Sequence, residues 1–170
     1  MDDTPKAADH LVDVFYLPYV AALGNLVILF AHAEAELIAL IQITRGVCER
    51  GAQEVLKAKN AKDQVLAMIQ NIVLDDPSSV PRLYETVLKY WADKELRNRY
   101  MHDEWYPHIT YTGVGVGTRG LPLSKGSKVA WNHPDPDDVW RLALRFRDHG
   151  HIFSHAAWFL GRSPDVGTGA

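Results

Sequence analysis

Apolar residues recur at helical spacing along most of this chain and predict four helices. The first helix covers about 19–47, and the second covers about 52–74, after a break that lies between Gly46 and Gly51. The third follows the turn at 75–79, and its apolar stripe is Val80, Leu83, Tyr84, Val87, Leu88 and Trp91. The last begins after Pro136, and its stripe is Val139, Leu142, Ala143, Phe146, Phe153, Ala157 and Leu160.

The stretch 108–131 has a different pattern, because its apolar residues alternate with polar residues and glycines. Ile109, Tyr111, Val114 and Val116 indicate one strand, and Lys128–Trp131 indicates the returning strand. The glycines at 113, 115 and 117 lack the strand–turn–helix setting of a dinucleotide loop. The fold class predicted is mainly α, an antiparallel four-helix bundle with this β-hairpin inserted before the last helix. The predicted domain is 14–161, with a flexible leader at 1–13 and a disordered tail at 162–170.

The run Val14–Ala33 carries no charged residue apart from a titratable histidine, and it is long enough to cross a bilayer. Pro18 and Gly24 interrupt it, no Lys/Arg cluster flanks it, and its pattern continues into an acidic stretch at 34–36. A central helix buried in a soluble protein explains this run at least as well. Both alternatives remain open at this stage, and we expect no membrane partner.

Composition favours a single soluble domain. The chain has 170 residues, 47% hydrophobic and 23% charged, and its net charge of -3 argues against an extended nucleic-acid-binding surface. The single cysteine, Cys48, excludes an internal disulfide, and the start of the chain is acidic where a secretory signal is basic. We therefore expect a cytoplasmic protein.

The segment Arg97–His102 has the clearest chemical meaning. Arg97 keeps its charge and can bind a phosphate through two hydrogen bonds, and His102 can exchange a proton near neutral pH. Asn98 and His102 are four residues apart and share a helix face, whereas Arg97 and His102 are roughly 140° apart. Two copies of the chain paired across this helix would place Arg97 of one opposite His102 of the other.

These residues suit metal-free RNA cleavage. His102 would deprotonate a ribose 2′-hydroxyl or protonate the leaving 5′-oxygen, while Arg97 stabilises the charge on the scissile phosphate. Asn98 would orient the phosphate or fix the tautomer of the imidazole. The product would be a 2′,3′-cyclic phosphate. The structural alternative is that an Arg-Asn pair near a helix C-terminus satisfies the last carbonyls.

Three neighbouring residues are candidates for substrate binding. Arg99 lies beside the motif on the same helix, and the aromatic rings of Trp105 and Tyr106 follow it. Aromatic rings can stack on RNA bases. For Trp105 and Tyr106, packing in the core or at a dimer interface is the alternative.

The run Leu96–His102 resembles the motif of the HEPN superfamily, in which an arginine and a polar residue are followed by a histidine four to six residues after the arginine. The resemblance implies a helical bundle that forms a homodimer. It also implies a metal-independent endoribonuclease that acts as a toxin or a phage-defence effector, with Arg97, Asn98 and His102 as the catalytic residues. RNA and an antitoxin or regulatory protein are the implied partners, and no cofactor is expected. Glu104 stands where one toxin branch has a tyrosine. Other HEPN members are non-catalytic modules that bind RNA, a nucleotide or a partner protein, which is the alternative.

The last helix carries a possible metal pair. His151 and His155 are four residues apart, a spacing that can bind zinc or nickel, with His149 and Asp148 nearby. A polar helix face with coincidental histidines is the favoured interpretation, so no metal site is expected.

Overall fold

The computed structural model describes residues 7–72, 79–110, 113–120 and 131–162, and this part of the chain is mainly helical. Its elements, in chain order, are α1 (Ala7–Arg45), α2 (Glu49–Lys57), α3 (Ala61–Gln70), α4 (Ser79–His102), β1 (Glu104–Thr110), β2 (Gly113–Arg119), β3 (Trp131–Asn132) and α5 (Pro136–Arg162). The predicted helical class with a small antiparallel hairpin before the last helix is confirmed at this level.

Helix α1 begins earlier than the sequence predicts. Residues 7–13, assigned to a flexible leader, are helical, and Pro18 lies inside the helix rather than before it. The helix ends at Arg45, and Gly46 then adopts the left-handed conformation, with φ of 62°, that favours glycine. The proline misled the prediction because it marks helix starts more often than helix interiors. Residues 1–6 and the predicted tail from 163 onward lie outside the described residues.

The second predicted helix is two helices, because the backbone becomes extended at Ala58, with ψ of 145°. Asn60 then precedes α3, and its side-chain oxygen accepts a hydrogen bond from Gln64 Nε2 at 2.8 Å. Periodicity alone predicted one helix, since Val55 and Val65 both fit an apolar face. Glycine and proline are absent from this junction, so Asn60 is the one residue there of a type that commonly marks a helix boundary.

The single strand predicted from Ile109 to Val116 is wrong. Ile109 and Val116 belong to different strands, β1 and β2, which pair antiparallel with Ile109 opposite Val114. The apolar residue of the first strand is at an odd position, 109, whereas those of the second are at the even positions 114 and 116. This change interrupts the alternation expected of a single strand, and it lets apolar residues of two paired strands share one face of the sheet. The returning strand is the short β3, which pairs with β2, and the sheet order is β1-β2-β3. Residues 121–130 lie outside the described part of the chain.

The described residues divide into two compact units. The sheet unit comprises the chain up to Val27 together with Glu95–Ala143, and the helical unit comprises Ile28–Lys94 together with the chain from Leu144.

In the helical unit, the fully buried Tyr90 ring lies between 5.6 and 6.3 Å from the rings of Phe30, Phe146 and Phe153.

The predicted stripe of α5 is confirmed, since all seven of its apolar residues are buried. The stripe of α4 is rotated, because Leu83, Val87 and Tyr90 are the buried positions while Tyr84, Leu88 and Trp91 are only half-buried. Aromatic packing around Tyr90 therefore sets the orientation of α4 in this unit.

The sheet unit is organised around the first part of α1. The Tyr19 hydroxyl donates a hydrogen bond to the carbonyl of Pro134 at 2.9 Å, and the Tyr19 ring lies 5.4 Å from that of Trp105. These contacts join α1 to the segment before α5 and to β1. They place the sheet beside the end of α4, where the predicted catalytic motif lies.

One helical segment, Tyr16–Arg45, is apolar and long enough to cross a membrane, with a mean hydropathy of 1.9 in its most apolar window. A third of that window is buried within the structure. Leu17, Val20 and Ile28 are more than 60% exposed, while Leu26 and Ala33 are fully buried. Both alternatives for this run, a core helix and a membrane span, remain compatible with these properties.

Candidate functional site

The predicted motif occupies the last two turns of α4 and is mostly open to solvent. Asn98 and His102 are exposed, and Arg97 is half-buried. On an ideal helix His102 lies roughly 40° from Asn98, while Arg97 lies about 100° from Asn98 on the other side. Asn98 therefore stands between the cation and the imidazole.

A hydrogen bond links Arg97 to Asn98, which shares a helix face with His102. Arg97 Nη1 donates to the side-chain oxygen of Asn98 at 3.1 Å. The guanidinium therefore contacts a side chain of the helix face that carries His102. This contact gives Asn98 a positioning role that the sequence motif alone does not specify.

The end of α4 satisfies its last carbonyls through groups other than the motif. The Asp103 amide donates to the Arg99 carbonyl at 2.8 Å, and the indole N–H of Trp105 donates to the Tyr100 carbonyl at 2.9 Å. These are two of the four carbonyls that a helix end leaves without helical partners. These two carbonyls therefore already have hydrogen-bond donors and do not require the Arg-Asn pair of the motif to cap them.

Trp105 has a structural environment. Its half-buried ring lies 5.4 Å from the Tyr19 ring and 6.2 Å from the Tyr100 ring, and its indole N–H is already bonded to the Tyr100 carbonyl. These contacts attach β1 to α4 and α1. The packing alternative for Trp105 is the one that these contacts favour.

Tyr106 lies across the sheet from Gly117, its partner in the strand register. A Cβ atom built at Gly117 would be 2.6 Å from the Tyr106 hydroxyl oxygen and 2.7 Å from the neighbouring ring carbon. The glycine therefore makes room for the ring, in the way that cross-strand aromatic residues cover glycines in sheets. Gly117 serves packing rather than nucleotide binding.

A cleft of about 200 Å³ lies next to the motif, in the sheet unit. Its lining residues are Leu96, Arg99, Tyr100, Asp103, Thr118, His133 and Pro134. Among the predicted substrate-binding residues, Arg99 lines this cleft, whereas Trp105 and Tyr106 do not. The cleft occupies the face of α4 that carries Leu96, Arg99 and Tyr100, and Arg99 is its lining residue closest to His102, roughly 60° around the helix.

The cleft holds two opposite charges. Arg99 is exposed and Asp103 is half-buried, and within the described residues neither side chain forms an ion pair. Arg99 lies in the last turn of α4, and Asp103, four residues later, is the first residue after the helix. Both groups can therefore interact with a ligand.

Sequence reasoning missed Asp103 and His133 as lining residues. Asp103 directly follows the motif, so the sequence shows that it lies close to His102. Which side of the helix end it occupies depends on where α4 ends. His133 is 30 residues further along the chain and reaches the cleft because the Tyr19 hydroxyl binds the adjacent Pro134 carbonyl. No local pattern signals that tertiary contact.

The histidines of α5 have separate environments. His151 and His155 are exposed, and the His155 ring lies 4.7 Å from that of Phe159. His149 is buried, so it does not join them. Within the described residues, no group of three His, Cys, Asp or Glu side chains is placed to hold a metal ion.

His149 belongs to a charged cluster in the helical unit that the sequence did not reveal. Its Nε2 lies 2.9 Å from Asp93 Oδ2, and Arg145 Nε lies 3.0 Å from each oxygen of the same carboxylate. Burial raises the pKa of Asp93, but the hydrogen bonds from His149 and Arg145 and their charges lower it below its usual value. A carboxylate in this state only accepts hydrogen bonds, so Nε2 of His149 carries the proton.

Known proteins provide no direct match for this arrangement. The chain matches no protein-family model, and neither a curated protein nor a solved structure matches it. A functional assignment therefore depends on the chemistry of the residues and on the motif they form.

Proposed function

We propose that this protein is a HEPN-like, metal-independent endoribonuclease whose catalytic residues are Arg97, Asn98 and His102. The observation that carries the proposal is the hydrogen bond from Arg97 Nη1 to the Asn98 side chain, on the exposed turn that also presents His102. This contact links a cation to a side chain of the helix face that carries the proton acceptor. General base catalysis and stabilisation of the phosphate charge both accelerate phosphodiester cleavage by a neighbouring hydroxyl.

The reaction proceeds by internal transesterification. As the ribose O2′ attacks phosphorus, His102 accepts its proton, and the bond from phosphorus to O5′ breaks. The departing O5′ takes a proton from an imidazolium or from water, which leaves a 2′,3′-cyclic phosphate and a 5′-hydroxyl. Arg97 neutralises the charge that accumulates on the non-bridging phosphate oxygens, and its bond to Asn98 limits the positions it can adopt.

A homodimer completes the proposed site. Arg97 and His102 are roughly 140° apart on one helix, so a second copy that pairs across the end of α4 would place Arg97 of one chain near His102 of the other. The proposal includes the antiparallel four-helix arrangement predicted from the sequence and a cytoplasmic location. It also includes a role as a toxin or defence effector controlled by an antitoxin or regulatory protein.

Incubation of total RNA with purified protein in excess EDTA tests the activity. We expect wild-type protein to produce fragments with cyclic-phosphate ends, and we expect Arg97→Ala and His102→Ala to produce none at matched concentration. Loss of one catalytic group of this kind typically lowers the rate by about 10²–10⁴-fold. Equal cleavage by wild type and His102→Ala would reject the assignment.

Matched variants separate catalysis from a general loss of charge. Arg82→Ala removes an exposed arginine from the same helix, and His151→Ala removes an exposed histidine from α5. Both should cleave RNA at the wild-type rate. If they lose activity as well, the effect of the motif variants is not specific.

A non-catalytic binding module is the second candidate. The observation that favours it is the cleft beside the motif, where Arg99 and Asp103 lie without an ion pair between them. Such a cleft can hold a nucleotide without any chemistry at His102. Ligand binding by the wild type, with intact RNA in every lane of the EDTA experiment, would support this candidate over the first.

A further inference from the structure

The cleft beside the motif has the chemistry of a nucleotide subsite. We propose that it binds a guanine nucleotide, with Asp103 holding the base and Arg99 the phosphate. Free guanine mononucleotide and a guanosine within RNA share this chemistry. Only the second case depends on the proposed ribonuclease function.

Asp103 determines the choice of base. An ionised carboxylate has two oxygens that accept hydrogen bonds and no donor. The Watson–Crick edge of guanine presents two adjacent N–H donors, from N1 and the 2-amino group, so both oxygens can be satisfied. Adenine and cytosine each present one amino group beside a ring-nitrogen acceptor, which repels the second oxygen, and uracil presents a single N–H between two carbonyls.

Arg99 provides the complementary anion site. It lies one helical turn before Asp103, and both line the same cleft. Because no ion pair joins them within the described residues, each charge is available to a ligand. A nucleotide carries donors at its base edge and negative charge at its phosphate, so it offers a partner to each of these two side chains.

The remaining walls suit a flat ring. Tyr100 and His133 contribute aromatic groups, and Leu96 and Pro134 contribute apolar surface. Tyr100 is held by its contact with the Trp105 ring, at 6.2 Å, so one wall is already positioned before a ligand binds. A volume of about 200 Å³ is on the scale of a single base rather than an oligonucleotide. Stacking on such walls favours any base, and Asp103 then selects guanine.

The position of the cleft relates it to the proposed chemistry. Arg99 lies roughly 60° around α4 from His102, and Asp103 directly follows His102 in the chain. An RNA whose guanosine fills the cleft would therefore pass a neighbouring phosphate close to the histidine. Cleavage next to guanosine is the consequence.

Calorimetric titration of the His102→Ala protein tests binding without turnover. We expect GMP to bind at least about tenfold more tightly than AMP, CMP or UMP, as a bidentate base contact predicts. Asp103→Asn in the same background should remove this preference, because an amide replaces one acceptor with a donor. Arg99→Gln should weaken GMP binding but leave guanosine, which has no phosphate, almost unchanged.

Two control variants have matched chemistry. Asp63→Asn changes an exposed carboxylate in α3, and Arg82→Gln changes an exposed arginine in α4. Both should keep the affinity for GMP and the preference over AMP. Circular dichroism and thermal unfolding establish that the cleft variants are folded. Equal binding of GMP and AMP, no binding of GMP, or a preference that persists in Asp103→Asn would each overturn the proposal.

The two proposals fail separately. If wild type cleaves RNA in EDTA, mapped ends should lie next to guanosine, and Asp103→Asn should scatter them. GMP binding that needs Asp103, with uncut RNA, would retain the nucleotide subsite and reject the ribonuclease. His102-dependent cleavage without GMP binding would retain the ribonuclease and reject the subsite.

Discussion

His149 Nε2 donates a hydrogen bond to Asp93 Oδ2 at 2.9 Å, and both side chains are buried in the helical unit. The imidazole is surrounded by aromatic rings, with Phe146 at 5.9 Å and Tyr90 at 6.1 Å. Arg145 completes the cluster from the solvent side, with its side chain 46% exposed. A buried carboxylate and imidazole, with a half-exposed arginine beside them, therefore connect α4 to α5 next to the aromatic rings of the helical unit.

Asp93→Asn should destabilise the protein strongly. The amide keeps the size of the side chain but removes the charge and one of the two acceptors, so His149 and Arg145 can no longer both donate to an ionised carboxylate. Loss of the hydrogen bonds to a charged acceptor should cost roughly 1.5–3 kcal/mol of the free energy of unfolding. Urea denaturation at pH 7 measures the change.

Asp148→Asn is the matched control, because Asp148 pairs with Arg147 at 3.0 Å on an exposed face of α5. An exposed pair of this kind contributes about 0.5 kcal/mol. If the two variants lose equal stability, the buried cluster is not a main determinant of the fold.

The same carboxylate predicts how stability depends on pH. The pKa of Asp93 is lowered in the folded protein from its ordinary value of 3.8, so its contribution is fully present above that value. It is lost as the pH falls through the lower folded-state pKa, because the unfolded chain then binds a proton more readily. Urea midpoints of the wild type should fall on acidification below about pH 4, and the slope should be shallower in Asp93→Asn. Identical slopes would contradict this assignment.

Gly117→Ala should destabilise the sheet, because its new methyl group would lie 2.6 Å from the Tyr106 hydroxyl oxygen. Displacement of the ring should cost about 1–3 kcal/mol. Gly24→Ala is the control, since a Cβ there meets no atom within 4 Å, and a helical glycine replaced by alanine should gain up to about 1 kcal/mol. Thermal unfolding of both variants measures the difference. The double variant Gly117→Ala/Tyr106→Ala should lose less than the sum of its single variants, and additive losses would argue against the clash.

Trp105→Phe separates packing from substrate binding. It keeps an aromatic ring but removes the indole N–H bonded to the Tyr100 carbonyl, so we expect a loss of about 1 kcal/mol in stability. Trp105→Ala also removes the ring that contacts Tyr19, and it should lose about 2 kcal/mol or more. Chemical denaturation and RNA-binding titrations should be measured together. Weaker RNA binding by Trp105→Ala with unchanged stability would instead identify Trp105 as a substrate contact.

Leu17→Lys tests whether α1 lies in water. Leu17 is 67% exposed, and an exposed surface substitution changes stability by less than about 0.5 kcal/mol. The variant should purify without detergent and unfold like the wild type, whereas Leu26→Lys, at a fully buried position, should fail to fold. A requirement of the wild type for detergent would reject the cytoplasmic location, since a lysine within a bilayer costs several kcal/mol.

The spacing of apolar residues along the chain was enough to predict most of the helical structure. The stripe of α5 could be predicted residue by residue because a helix that buries one face repeats its apolar positions every three or four residues. The motif at the end of α4 was equally readable, since Asn98 and His102 share a face in any helix. Three features could not be predicted in this way: the start of α1, the break at Ala58 and the hairpin register. In each case the local sequence is compatible with more than one backbone conformation, and only the packing of the elements selects one.

Sequence alone determined the mainly helical class, the buried face of α5 and the chemical types gathered between Arg97 and His102. Tertiary structure decided which of those groups have partners. His149 pairs with Asp93, 56 residues away, and His133 reaches the cleft beside Asp103 because Tyr19 binds the Pro134 carbonyl. Periodicity records which face of an element is buried, but a contact between distant residues depends on how elements pack, and packing energy is shared over many side chains rather than encoded at one position.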